Sequence, residues 1–218
     1  MKKIISAFVL IFAINAGYSQ ISIGAGASML KVFGVPAPYA GMHVLVEYPV
    51  DDETSYFGRV NFFGKQKGAP VNTYADAIDF VNTTPGQIPV SYQTTFNYTT
   101  IELGRRYYFG NGYDYGFGAY GGTQAMVIFN QAKVQSSDFD KTKYRITGLE
   151  PKGAVFSIAA GLSGGVKNDF TWGTLYLDGA FHYLLLGQST NITASNGFSE
   201  FGGQILFSFT VGYRKTLF

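Results

Sequence analysis

Along most of this chain apolar residues alternate with small or polar ones at a period of two, which commits each such segment to a strand with two chemically different faces. Ile21 to Leu30 places Ile21, Ile23, Ala25, Ala27 and Met29 on one face and Ser22, Gly24, Gly26 and Ser28 on the other. Seven more segments behave in the same way: Gly41 to Pro49, Ser55 to Gly64, Tyr92 to Phe109, Tyr115 to Phe129, Ala154 to Lys167, Trp172 to Gly187 and Phe201 to Thr216. No heptads and no useful helical stripe compete with this pattern. The chain therefore predicts eight strands.

The connections order them. Asp51 to Thr54, Gly110 to Asp114 and Asn168 to Thr171 have tight-turn compositions, whereas Lys31 to Ala40, Lys65 to Ser91, Asn130 to Gly153 and Gln188 to Glu200 are long. Long and short connections alternate, so every long loop leaves from one end and both termini lie at the other. This is the layout of an all-β, eight-stranded antiparallel up-and-down transmembrane β-barrel.

Which face looks outward is decided by composition. A water-soluble barrel of lipocalin type would show Lys and Glu on its polar face. Here the polar face is rich in Gly, Ser, Ala and Thr with about one charge per strand, and only 14% of the chain is charged against about 25% in ordinary domains. Small residues suit the cramped interior of an eight-stranded barrel, which leaves the apolar face to lipid. Tyr48, Tyr56, Tyr107, Tyr115, Trp172 and Tyr213 are expected to form an interfacial girdle at the short-turn end, with Tyr108 and Tyr113 near the second turn.

Met1, Lys2 and Lys3 followed by the apolar run Ile4 to Ile14 and the small residues Gly17 and Ser19 predict a signal peptide over 1–19, and a barrel domain over 20–218. Removing Lys2 and Lys3 leaves fourteen basic against fourteen acidic residues, so a basic surface for nucleic acid is not expected. There are no cysteines, which removes disulfides and thiolate chemistry.

With this leader, eight alternating strands, and the strings Glu102 to Phe109 and Tyr115 to Gly122, the chain resembles the small outer-membrane β-barrel proteins of the OmpA/OmpX-like class. The resemblance implies a location in the bacterial outer membrane and a final aromatic residue read by the assembly machinery, here Phe218. Phe209, Val211 and Tyr213 are out of phase with Phe218, which puts Lys215 and Thr216 in a short tail or a bulge.

Strand parity directs Glu47, Arg59, Glu102, Arg106, Lys167, Asp178 and Arg214 inward. Three acids and four bases in a low-dielectric lumen are costly unless paired, so a salt-bridge network is expected, acting as a polar plug rather than an ion path. His43 and His182 are too few for a metal site, and no Ser lies within two positions of either. Asp178 and His182 are about 13 Å apart along one strand, beyond hydrogen-bond reach. No catalytic, cofactor-binding or metal-binding residues are assigned.

The second long loop mixes Tyr74, Ile78, Phe80 and Val81 with prolines, and Asn72 to Asn82 is read as a short amphipathic helix with docking potential. Asn130 to Gly153 carries two more bases than acids, suited to lipopolysaccharide headgroups. The sequence reading is thus a non-enzymatic outer-membrane barrel with periplasmic termini. It serves as a structural or interaction component of the cell envelope, with membrane lipid, lipopolysaccharide and other envelope proteins as partners. Narrow-pore transport and lipid modification are the alternatives.

Overall fold

The computed structural model describes residues 20–33, 37–147, 152–190 and 205–217. The expected leader, Asn191 to Glu200 of the last long connection, and Phe218 lie outside them. Eleven strands occur among the described residues: β1 (Ser22–Val32), β2 (Tyr39–Pro49), β3 (Thr54–Phe63), β4 (Gln66–Lys67), β5 (Val71–Ala77), β6 (Gln87–Gly110), β7 (Phe117–Ser136), β8 (Tyr144–Arg145), β9 (Lys152–Phe170), β10 (Gly173–Thr190) and β11 (Ile205–Thr216).

Eight of these close a ring in the order β1-β2-β3-β6-β7-β9-β10-β11 and back to β1, every pairing antiparallel. The register runs from Ser22 through Glu47, Phe57, Gly104, Gln124, Gly161, His182 and Leu206, and returns to Val32, ten residues further along β1. That stagger is even. An inward residue therefore meets inward neighbours all the way round, and strand parity alone sorts lumen from exterior. Met42, Val44, Phe62, Leu103, Leu162, Leu177, Phe181 and Val211 are exposed on the outside, an apolar belt that water would not tolerate at this size. The architecture is that of a transmembrane β-barrel.

Inward glycines make room for rings. A Cβ on Gly165 would lie 2.6 Å from Tyr120 Cζ, and one on Gly212 would lie 2.5 Å from the Tyr176 hydroxyl. The wide turn between β6 and β7 needs glycine for another reason, since Gly110, Gly112 and Gly116 all have positive φ.

Three expectations change. β11 holds unbroken register with β1 through Thr216↔Ser22, so Lys215 and Thr216 belong to the strand and form neither tail nor bulge. The segment read as a helix lies in β5 as far as Ala77 and then bends into a turn over 78–82, and β5 pairs antiparallel with the start of β6 from Val71↔Tyr92 to Asp76↔Gln87. The alternation of Val71, Thr73, Ala75 and Ala77 against Asn72, Tyr74 and Asp76 is a strand pattern, and the β6 edge gives it a partner. The third change is length. β6, β7, β9 and β10 have 24, 20, 19 and 18 residues, against 10 to 12 in β1, β2, β3 and β11, so one side of the wall projects beyond the other.

Candidate functional site

The lumen is stratified. From the short-turn end upward, inward residues on β2 run Glu47, Leu45, His43 and Tyr39, and those on β6 run Arg106, Glu102, Thr100, Tyr98 and Phe96. Charge comes first, then neutral polar groups, then an apolar layer.

Six of the seven charged residues that parity directs inward form one alternating chain, Glu102–Arg59–Asp178–Arg106–Glu47–Arg214. Arg59 meets Glu102 at 2.5 Å and Asp178 at 3.1 Å. Arg106 meets Asp178 and Glu47, each at 2.7 Å, and Arg214 meets Glu47 at 2.6 Å. None of the six is more than 2% exposed. Three cations and three anions cancel, which is what permits burial at such density. Further hydrogen bonds support the carboxylates: Ser55 and Tyr108 donate to Glu47 at 2.6 and 2.5 Å, and Thr210 donates to Asp178 at 2.6 Å, while Arg106 Nε and Arg214 Nε have no hydrogen-bond partner. The Arg106 guanidinium lies 4.3 Å from the Phe57 ring centroid and 4.7 Å from that of Tyr120, while Arg214 lies 4.0 Å from Tyr113.

The seventh, Lys167, stands apart. Its Nζ donates to the Tyr113 carbonyl at 2.9 Å, to the Tyr115 carbonyl at 3.3 Å, and to the Asp169 carboxylate. Asp169 is thus the fourth inward acid. Ending the strand at Lys167 hides it, although parity carried two residues further would have found it. Clustering also misplaces two rings, because Tyr108 and Tyr113 are buried in the lumen with Tyr120 rather than facing outward. The alternation with Arg106 predicts this for Tyr108.

Above the charges, hydrogen bonds link Tyr176, His43, Ser28, Asn61 and Glu102. His43 Nε2 lies 2.5 Å from Tyr176 Oη, and His43 Nδ1 lies 2.8 Å from Ser28 Oγ. Local spacing gave no sign of this serine, because β1 and β2 bring it across the sheet. Ser28 is nevertheless no nucleophile. Its proton goes to Asn61 Oδ1 at 2.8 Å, so His43 must donate to Ser28 and cannot act on it as a base. Asn61 in turn donates to Thr100 at 2.9 Å and Glu102 at 2.8 Å. His182 contacts the Gln124 amide at 2.5 Å and makes no hydrogen bond to Asp178. Among the described residues no cluster of three or more His, Asp or Glu is arranged to hold a metal.

An apolar plug closes the upper lumen. Leu30, Val32, Tyr39, Phe63, Phe96, Tyr98, Met126, Ile128 and Leu206 pack together, with the Tyr39 and Tyr98 rings 4.4 Å apart. Any solute would have to displace this layer and then the ionic one.

On the outside, Tyr48, Tyr56, Tyr107, Tyr115 and Trp172 are exposed and Tyr213 is half-buried, all beside the short-turn end. Phe170, Trp172 and Tyr213 stack with centroids 5.1 and 5.4 Å apart, and Tyr213 donates to the Trp172 carbonyl at 2.5 Å.

At the opposite end β5 and β8 add to the projecting wall through Asp76↔Arg145 and Ala77↔Tyr144. Ala75, Ala77, Val90 and Tyr144 make a small core there, flanked by Ile88, Phe139 and Ile146. Tyr74 on β5 and Ile78, Phe80 and Val81 at the hairpin tip remain exposed. Asp76 clamps the assembly, accepting from Thr147 Oγ1 at 2.6 Å and Gln87 Nε2 at 2.8 Å. The Thr147 bond and then the Gln87 bond hold its carboxyl below the usual aspartate range. A folded-state value below the unfolded one gives stabilisation that is complete above about pH 4 and lost as the pH falls through the folded value. Hydrogen exchange in 71–92 and 139–147, corrected for intrinsic rates, is therefore expected to rise more between pH 6 and pH 3 in wild type than in Asp76→Asn, where Asp79 and Asp140, also held low by hydrogen bonds, still titrate. Equal pH responses would count against the clamp.

No protein-family model matches the chain, and no curated protein matches its sequence. Solved structures do match. The chain is similar to Neisserial surface protein A at 12% identity, over 91% of this chain and 97% of that one, with a TM-score of 0.53. It also matches a major outer membrane protein from Thermus thermophilus, at 12% identity over 91% and 100% of the two chains with a TM-score of 0.46. OprG from Pseudomonas aeruginosa matches at 13% identity over 92% and 97%, with a TM-score of 0.44. The first of these likenesses establishes the fold, that of the small outer-membrane β-barrels.

Proposed function

We propose that the chain is a non-enzymatic integral outer-membrane protein with a shut lumen, which presents its external sheet as an interaction or structural element of the cell envelope. In this reading residues 1–19 are removed on export, the termini and short turns face the periplasm, and the projecting strands face outward among lipopolysaccharide. One observation carries it: the lumen is filled twice in series, by ions and then by apolar side chains, while the chain's elaboration is spent on a sheet outside the belt. A transport protein would need the reverse distribution. The histidines that chemistry would require lie 2% exposed inside the barrel, away from any membrane surface.

Planar bilayers containing the purified protein are expected to stay at baseline current, and steady unitary steps would overturn the shut-lumen reading. The interaction role is tested by crosslinking in intact cells followed by extraction of the full chain. A specific envelope-protein adduct from wild type that disappears with Ile78→Ser/Phe80→Ser supports it. Recovery of only the lone barrel from both would argue against it.

A further inference from the structure

Every acidic residue of the eight ring strands, Glu47, Glu102, Asp169 and Asp178, has inward parity. The outer wall nevertheless carries a cation within the girdle. Arg105 on β6 shares its parity with the lipid-facing Leu103 and Tyr107, and its guanidinium lies 4.7 Å from the Tyr107 ring centroid and 5.7 Å from that of Tyr56. No ion pair joins it to a carboxylate among the described residues, and its buried Nε has no hydrogen-bond partner. A guanidinium with no counter-ion is expensive in apolar surroundings, and phosphate is its best-matched planar-fork partner.

The wall beside it is hollowed. Register sets Tyr56, Arg105, Thr123 and Leu162 in one outward row and Gly58, Leu103, Ala125 and Ala160 in the next. The small residues Thr123, Ala125 and Ala160 form a floor between Leu103 and Leu162, making a shallow groove of about 800 Å³ that starts at Arg105. A cation at the headgroup level with an apolar trough leading toward the membrane centre has the polarity of a lipid molecule.

We propose that Arg105, braced by Tyr56 and Tyr107, binds the phosphate of a glycerophospholipid in the leaflet at the short-turn end, with one acyl chain lying in the groove. The Thr123 hydroxyl, directly across the ladder from Arg105, supplies a second donor to the same phosphate. Stacking fixes the guanidinium plane so that little freedom is lost on binding. The inference rests on the membrane-spanning reading above.

The test is native mass spectrometry of the full chain released from detergent, with palmitoyl-oleoyl-phosphatidylglycerol as probe and palmitoyl-oleoyl-glycerol as its phosphate-free counterpart. Wild type is expected to retain one phospholipid about tenfold better than the glyceride, with Arg105→Gln reducing it to the glyceride's level. Leu162→Trp, which fills the groove and keeps the cation, is expected to weaken both. Lys133→Gln, an outward cation on the part of β7 beyond the belt, is expected to change neither. Equal retention of the two probes by wild type, or undiminished phospholipid retention by Arg105→Gln, overturns the proposal. Insertion is read separately, by resistance of vesicle-bound protein to alkaline carbonate extraction. A barrel that fails to insert sinks both readings, whereas an inserted barrel indifferent to Arg105 sinks only this one.

Discussion

Asp178→Ala is expected to cost about 3–5 kcal/mol of barrel stability, the penalty typical of removing one partner from a buried ion pair. Asp178 is the central anion of the chain, touching Arg59 at 3.1 Å and Arg106 at 2.7 Å and accepting from Thr210 at 2.6 Å. Its loss leaves three guanidinium groups facing two carboxylates, with the middle of the network carrying the uncompensated charge. Arg59 keeps Glu102 and Arg106 keeps Glu47, so the network is cut into two fragments rather than dissolved. Asp178→Asn preserves the volume and the Thr210 contact but not the charge, and is expected to fall in the same range. Restoring neutrality by Asp178→Asn with Arg59→Met removes the unpaired cation on one side, so this double variant is expected to lose less than the sum of the singles. Urea unfolding in detergent micelles, followed by the fluorescence of the single tryptophan, Trp172, and by heat-dependent electrophoretic mobility, gives the comparison. A midpoint for Asp178→Ala equal to that of wild type would show that the charge chain does not hold the barrel.

Tyr98→Ala tests the other layer, with an expected cost again of about 3–5 kcal/mol, as for large-to-small aromatic substitutions in a packed core. Tyr98 is 1% exposed, packs its ring at a tilt against that of Tyr39 and sits among Phe96, Ile128 and Leu206 in the plug. The cavity cannot collapse easily, because the strands around it are held in a closed ring. A conductance prediction accompanies the stability one. Tyr98→Ala alone is expected to stay at baseline current, since Glu102 and Arg106 lie below it on the same strand and the ionic layer is intact. Asp178→Ala alone is expected to stay shut as well, since the plug above it is intact. Steady current from either single variant would mean that one layer, and not two in series, closes the lumen.

The contrast between these layers explains what could be read in the chain. Parity is a local property, and an even stagger transmits it unchanged round the ring. Arg59, Arg106 and Asp178 can therefore be directed inward from their own strands without knowing any neighbour. The same logic covers Asp169 once the strand is carried past Lys167. The number of strands, their up-and-down order and the identity of the lipid face follow from alternation, turn lengths and the scarcity of charge. The pairing partners do not follow. Ser28 and His43 lie fifteen residues apart in sequence and 2.8 Å apart in space because β1 and β2 adopt one particular register. His43 and Tyr176 meet only across the lumen.

What the sequence by itself determined is the barrel and the sorting of its side chains, because a period of two and a lipid-facing belt leave no other stable arrangement for the backbone's hydrogen bonds. Only the tertiary structure decided which charges neutralise which, that the lumen is closed by an ionic layer beneath an apolar one, and that the second long loop contributes a strand, β5, to the β6 edge. Those facts depend on register and stagger, which set the contacts between residues far apart in the chain and leave no trace in local composition.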